Sequence, residues 1–133
     1  MRARRGLLVV AALLAAALCG CETKPPEITL TVTATGYSST PGQTWGDPHQ
    51  GAWGDRLQPG DKAIAVSRDL LDLGLNHGAK VRIHGLPGTW TVLDKMNRRW
   101  EKRIDIYFGK DTQAAREWGR RTVKITYRPV SPS

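Results

Sequence analysis

Residues 103–108, R-I-D-I-Y-F, change face at every position. Ile104, Ile106 and Phe108 point one way, and Arg103, Asp105 and Tyr107 point the other, because successive strand side chains leave opposite sides of the backbone. A strand that buries isoleucine and shows Arg, Asp and Tyr belongs to a sheet with one packed face and one polar face. The same period of two recurs at 28–37, 79–84, 89–94 and 121–127, and a short apolar run lies at 62–67. These runs are rich in Thr, Val and Ile, the residues that fit a pleated, half-buried surface. Gly85-Leu86-Pro87-Gly88 supplies a turn between two of them. Residues 68–75 suit one helical turn. Asp111 is placed to cap a helix whose Ala114, Ala115 and Trp118 share a face, with Gly119 as its stop. The expectation is an all-β domain of six strands with one or two short helices. An even set of short strands with few edges to spare points to a small closed barrel. Residues 38–60 carry Trp45 and Trp53 without a steady period, which reads as a long loop of the kind that is often functional.

Residues 1–21 read as an address. Arg2, Arg4 and Arg5 precede an apolar run over 7–18. A bilayer span needs about 20 apolar residues, so this shorter run fits the core of a signal peptide. It ends Leu18-Cys19-Gly20-Cys21, which resembles a bacterial lipobox with Cys21 as the lipidated residue; cleavage near Gly20 without a lipid is the alternative. Acylation at Cys21 implies a membrane anchor, and Glu22 after it implies an outer-membrane lipoprotein facing the periplasm of a Gram-negative cell. Residues 22–27 form a linker, 28–128 the domain and 129–133 a tail. Cys19 and Cys21 are the only cysteines, so the domain has no internal disulfide and must rest on its own core. Loss of the three leader arginines takes the net charge from +8 to +5. A mildly basic surface attracts anionic polymers. An exported protein does not meet nucleic acid, which leaves anionic cell-wall glycan as the expected partner of a monomer. His49, His77 and His84 lack ligand spacing, so no metal is expected. No Gly-rich phosphate loop or Ser-His-Asp order appears, and no cofactor is expected.

The chemistry concentrates in 89–109, where Asp94 and Asp105 stand eleven residues apart. Between them lie Lys95, Arg98, Arg99, Trp100, Lys102 and Arg103. Charge beside aromatic area suits a polar ligand with flat apolar faces, such as a sugar. Each residue also has a structural reading. The aspartates could accept backbone N–H groups, the basic residues could form a solvated face, and Trp45, Trp53 and Trp100 could pack at the rim. Trp90 alternates with Val92 and reads as core.

The runs V-T-A-T-G-Y, I-A-V-S, T-V-L-D-K-M, K-R-I-D-I-Y-F-G and W-G-R-R-T-V-K-I together resemble the 3D domain family, named for three aspartates. The resemblance covers residues 28–127. Its most specific part is Asp94, then Arg103-Ile104-Asp105, followed by Tyr107, Gly109 and Trp118-Gly119. It implies a six-stranded double-psi β-barrel, a fold also found in rare lipoprotein A, expansins and family 45 endoglucanases. The implied activity is that of a lytic transglycosylase or related glycosidase, cleaving the O-glycosyl bonds of peptidoglycan glycan strands between N-acetylmuramic acid and N-acetylglucosamine. A carboxylic acid protonates the glycosidic oxygen and then acts as base toward the C6 hydroxyl, leaving a 1,6-anhydro end. Asp94 and Asp105 match the second and third family aspartates. The first falls at Ser67, with Asp69 and Asp72 nearby. The resemblance thus assigns Asp94 and Asp105 to catalysis, with Asp69 as the substitute acid. It assigns Ser67, Arg98, Arg99, Trp100, Arg103 and Tyr107 to substrate binding. The departure at Ser67 leaves a second expectation, a non-catalytic peptidoglycan-binding lipoprotein. The two aspartates are expected to converge on one groove.

Overall fold

A computed structural model describes residues 23–39 and 50–133. The leader, the lipidation candidate Cys21, Trp45 and His49 lie outside the described residues. Six strands form in chain order: β1 Ile28–Tyr37, β2 Ala63–Val66, β3 Lys80–Ile83, β4 Trp90–Lys95, β5 Arg103–Tyr107 and β6 Arg121–Tyr127. A 3-10 turn, Arg68–Leu73, follows β2, and one α-helix, α1 Thr112–Trp118, precedes β6. The strands close into a barrel in the order β1-β5-β2-β4-β3-β6, with β6 returning to β1. Two neighbouring pairs, β1 with β5 and β2 with β4, run parallel; the others are antiparallel. Exchanging the first three strands for the last three maps this ring onto itself, and maps one parallel pair onto the other. That pseudo-twofold crossing is the double-psi arrangement, so the chain is the six-stranded double-psi barrel expected from its strand pattern and family resemblance.

The alternating runs fill the interior. Val32, Ala34, Ile64, Val66, Val81, Ile83, Val92, Ile104, Ile106 and Ile125 are buried in one cluster. Trp90 joins them, as its alternation with Val92 predicts. The barrel closes wholly within residues 28–127. Asp111 caps α1 by accepting from the Ala114 amide at 2.9 Å. Trp118 ends the helix buried, its indole N–H donating to the Ala34 carbonyl. Gly36 lets this helix settle on β1: a Cβ there would lie 3.2 Å from the Ala115 Cα of the helix and 2.6 Å from the Phe108 ring.

One irregularity decides where the chemistry ends up. Ile64 pairs with Val92, but the next residue, Ala65, pairs with Asp94. Leu93 is an extra residue, a β-bulge that shifts the parity of the rest of β4. Trp90 and Val92 face inward. Unbroken alternation would carry Asp94 inward too, placing a carboxylate in an apolar core at prohibitive cost. The bulge turns it out beside Ala65.

Candidate functional site

The outer face of the barrel carries a register row across four strands. Thr35 on β1 pairs with Asp105 on β5, Asp105 with Ala65 on β2, and Ala65 with Asp94 on β4. The two aspartates therefore share one face, separated by alanine. Two strand spacings put their backbones about 10 Å apart, with the buried Ala65 between them. Beneath one end of the row lies a second apolar cluster of Tyr37, Leu57, Ala63, Ala65, Met96 and Tyr107. The Tyr37 and Tyr107 rings meet at 5.4 Å.

The two carboxylates live in different settings. Among the described residues, the hydrogen bonds to Asp94 come from backbone amides: Oδ1 accepts from Ala52 and from Lys95, each at 2.8 Å. Burial pushes its pKa up, and these two donors and the Lys95 charge pull against that rise. Among the described residues, Asp105 accepts a hydroxyl bond, from Thr35 Oγ1 at 3.1 Å. Burial pushes its pKa up to about 6, against the Thr35 hydroxyl and the Arg103 charge, and the Asp94 charge adds to the rise. Asp105 thus exchanges a proton near neutral pH while Asp94 is anchored to main chain. The Tyr37 phenol is pushed well up by burial and then by both aspartates, so it remains protonated. It was not a sequence candidate. Its outward position on β1 is readable, but its place beside β5 depends on a pairing of residues some seventy positions apart.

The remaining sequence candidates divide. Ser67 is fully buried and its Oγ accepts from the Arg103 amide at 3.0 Å. It is a structural hydroxyl, not one presented to a ligand. Tyr107 is only 2% exposed; it points outward from β5, as its alternation requires, but lies under the second cluster. Asp69 is exposed, and its Oδ2 accepts from the Lys102 amide at 2.9 Å. Its slight burial raises its pKa, but bonds from the Ser67 hydroxyl and the Lys102 amide outweigh that and lower it. A carboxylate held charged in this way is a poor proton donor. Asp69 instead fastens the 96–102 turn, where Lys102 takes a left-handed backbone with φ 44°. Arg98 and Arg99 are exposed on that turn. Trp100 is half-buried against the second cluster, with the Arg103 guanidinium 3.8 Å and that of Arg99 4.7 Å from its ring centre. Its stacking partners in this structure are arginines.

A further group draws on the 38–60 loop, which the sequence marks as a loop of functional kind without showing what Trp53 and Asp55 meet. Residues 50–56 form a small hairpin closed by a Gln50–Arg56 bridge, and this hairpin delivers the Ala52 amide to Asp94. Gly51 presses on the bulge so closely that a Cβ would lie 2.1 Å from the Leu93 carbonyl oxygen. Asp55 binds His77 through its carboxylate, Trp53 stacks on the same imidazole at 4.9 Å, and Lys95 lies 5.0 Å over Trp53. Among the described residues, no three His, Cys, Asp or Glu side chains gather as a metal site.

No family model matches the chain, and no curated protein matches it. Among solved structures, it is similar to an expansin of Clavibacter michiganensis, a point mutant in complex with cellohexaose, with TM-score 0.46 and 22% identity over 77% of this chain and 50% of that one. The apo form of that expansin gives TM-score 0.46 and 23% identity over the same shares. The chain spans about half the length of those expansin chains.

Proposed function

We propose that this domain acts on the glycan of the bacterial cell wall as a 3D-type lytic transglycosylase, with Asp105 as its acid and base. The observation that carries the reading is Asp105 itself, a carboxyl pushed up to about 6 by burial on the same outer face as a second, amide-tethered aspartate. With that value, about a tenth of the Asp105 side chains hold a proton at neutral pH, enough for general acid catalysis. Protonated Asp105 gives its proton to the glycosidic oxygen as the C1–O bond breaks. The Asp94 charge stabilises the developing oxocarbenium ion. The C6 hydroxyl of the same sugar then attacks C1, and its proton returns to Asp105. No water is consumed. Purified sacculi incubated with the protein should release anhydro-muropeptides, detected by mass spectrometry, and Asp105→Asn should abolish them. Release undiminished by Asp105→Asn sinks the assignment.

A second reading, a non-catalytic peptidoglycan-binding lipoprotein, is favoured by one observation. Ser67 stands where the 3D pattern carries its first aspartate, and its hydroxyl is committed to the Arg103 amide. Retention on sacculi without any cleavage is the outcome that selects it, and Ser67→Asp then tests whether the missing carboxyl is the reason. In either case we read Cys21 as a lipidated residue that anchors the domain in the outer membrane. Cys21→Ser should move the protein from the membrane fraction to the soluble periplasm.

A further inference from the structure

The arc of the barrel formed by β3 and β6 lies directly across the ring from β5 and β2, which carry Asp105 and Ala65. This arc is basic. A groove there is lined by Lys24, Lys80, Arg82 and Arg128, with the Glu27 carboxylate as its one acid among the described residues. That acid is already engaged, at 3.0 Å by Arg82 and at 3.9 Å by Arg128. All four cations are exposed.

Apolar side chains surface at the same place. Among the described residues, the exposed large hydrophobics are Leu73, 47% exposed, and Val130, 37% exposed. They are neighbours, because the Val130 amide donates to the Gly74 carbonyl at 2.9 Å and Tyr127 Oη donates to the carbonyl of Leu73 itself. Val130 also lines the basic groove. The segment arriving from the leader enters here too, with Arg128 donating to the Pro25 carbonyl at 2.8 Å. Only residues 22–27 separate Cys21 from β1, a reach of roughly 20 Å when fully extended.

We propose that this face is a docking surface for an anionic lipid bilayer. Cations around an exposed apolar pair are what a headgroup layer recognises: phosphates pair with Lys and Arg while Leu73 and Val130 enter the acyl boundary. The short tether keeps this face within reach of the bilayer. Docking by β3 and β6 turns Asp105, across the ring on β5, away from the lipid. This orientation rests on the anchored reading of Cys21; the affinity for the surface does not.

The test uses residues 22–133, which contain the whole barrel and lack the acylation site. Co-sedimentation with vesicles of phosphatidylcholine alone and with added phosphatidylglycerol should show binding to the anionic vesicles only, fading as salt rises through physiological strength. The triple variant Lys24→Ser/Lys80→Ser/Arg82→Ser should lower partitioning on the order of a hundredfold, at about fivefold for each cation. Leu73→Ser/Val130→Ser should lower it several-fold at every salt concentration, and thermal melts identify any variant that has not folded. Arg98→Ser/Arg99→Ser, on the β4–β5 turn, should leave vesicle binding intact; if it weakens binding as much as the groove variant, the attraction is net charge and the assigned face is wrong. Equal binding to neutral and anionic vesicles overturns the proposal. So does a groove variant that loses sacculi but keeps vesicles, which makes the face a wall-polymer site. Because vesicles contain no glycan, the result stands apart from the cleavage assay.

Discussion

Asp105→Asn should stabilise the protein at alkaline pH while removing its proposed activity. The native carboxyl ionises at about 6, against an ordinary value of 3.8. At about 1.4 kcal/mol per pH unit, the folded state holds the charged form at a penalty of at most about 3 kcal/mol. The sign follows from linkage. Between 3.8 and about 6 the folded protein binds a proton that the unfolded chain has released, so stability from this group is present at low pH and lost as pH rises through that window. Asparagine is neutral throughout and keeps an oxygen to accept from Thr35. The stability difference between variant and parent should therefore be near zero below pH 4 and grow to about 2–3 kcal/mol by pH 8. For a domain of this size that is a rise in Tm of about 8–14 °C. Urea unfolding followed by tryptophan fluorescence at a series of pH values measures the difference directly, and effects of other groups cancel between the two proteins. If Asp105 were instead an anchor that ties the fold together, Asn would destabilise at pH 8. A negative or pH-independent difference refutes the burial account of Asp105.

Gly51→Ala should destabilise by about 1–3 kcal/mol, because its Cβ meets a backbone oxygen that cannot swing aside. By lifting the Ala52 amide off Asp94 it should also raise the Asp94 pKa in a carboxyl NMR titration; an unchanged melt and titration would mean the hairpin does not press on the bulge. Lys102→Gly should raise the urea midpoint, adding about 0.5–1 kcal/mol, since glycine accepts the left-handed backbone that lysine adopts under strain while the amide still reaches Asp69. A lower midpoint would show that the lysine carries no strain there.

The two aspartates were unequally legible in the sequence. Asp105 lies in an unbroken alternation between Ile104 and Ile106, so local pattern alone puts it outside. Asp94 shares parity with Trp90 and Val92, and alternation by itself sends it into the core. Only the family resemblance placed it beside Asp105, and the physical device that does so is the bulge at Leu93, which no composition rule marks. The Asp55–His77–Trp53 group was invisible for another reason. Its members meet because a hairpin folds across β4, and contacts of that kind have no period along the chain. Ser67 continues the outward parity of Ala63 and Ala65 and so looked presented. The 96–102 turn, fastened by Asp69, covers it.

Ser67 also bears on which chemistry the site favours. A carboxylate at that position would sit two residues along β2 from Ala65, on the face that Asp105 occupies, and its charge would raise the Asp105 pKa further. With serine there, the rise at Asp105 rests first on burial. Asp94, held by two backbone amides, has little freedom to approach a sugar carbon. A double displacement needs a second carboxylate free to act as nucleophile, and an inverting hydrolysis needs one free to activate water. Either role would fall to Asp94 Oδ2, since Oδ1 already carries the Ala52 and Lys95 amides. A reaction in which one group first gives a proton and then takes one back asks only for a single carboxyl poised near neutral pH, with a fixed negative charge across a gap. Asp105 and Asp94, either side of Ala65, meet that smaller requirement, which is why serine where the 3D pattern has its first aspartate weighs less against the proposed transglycosylase than it would against a hydrolase.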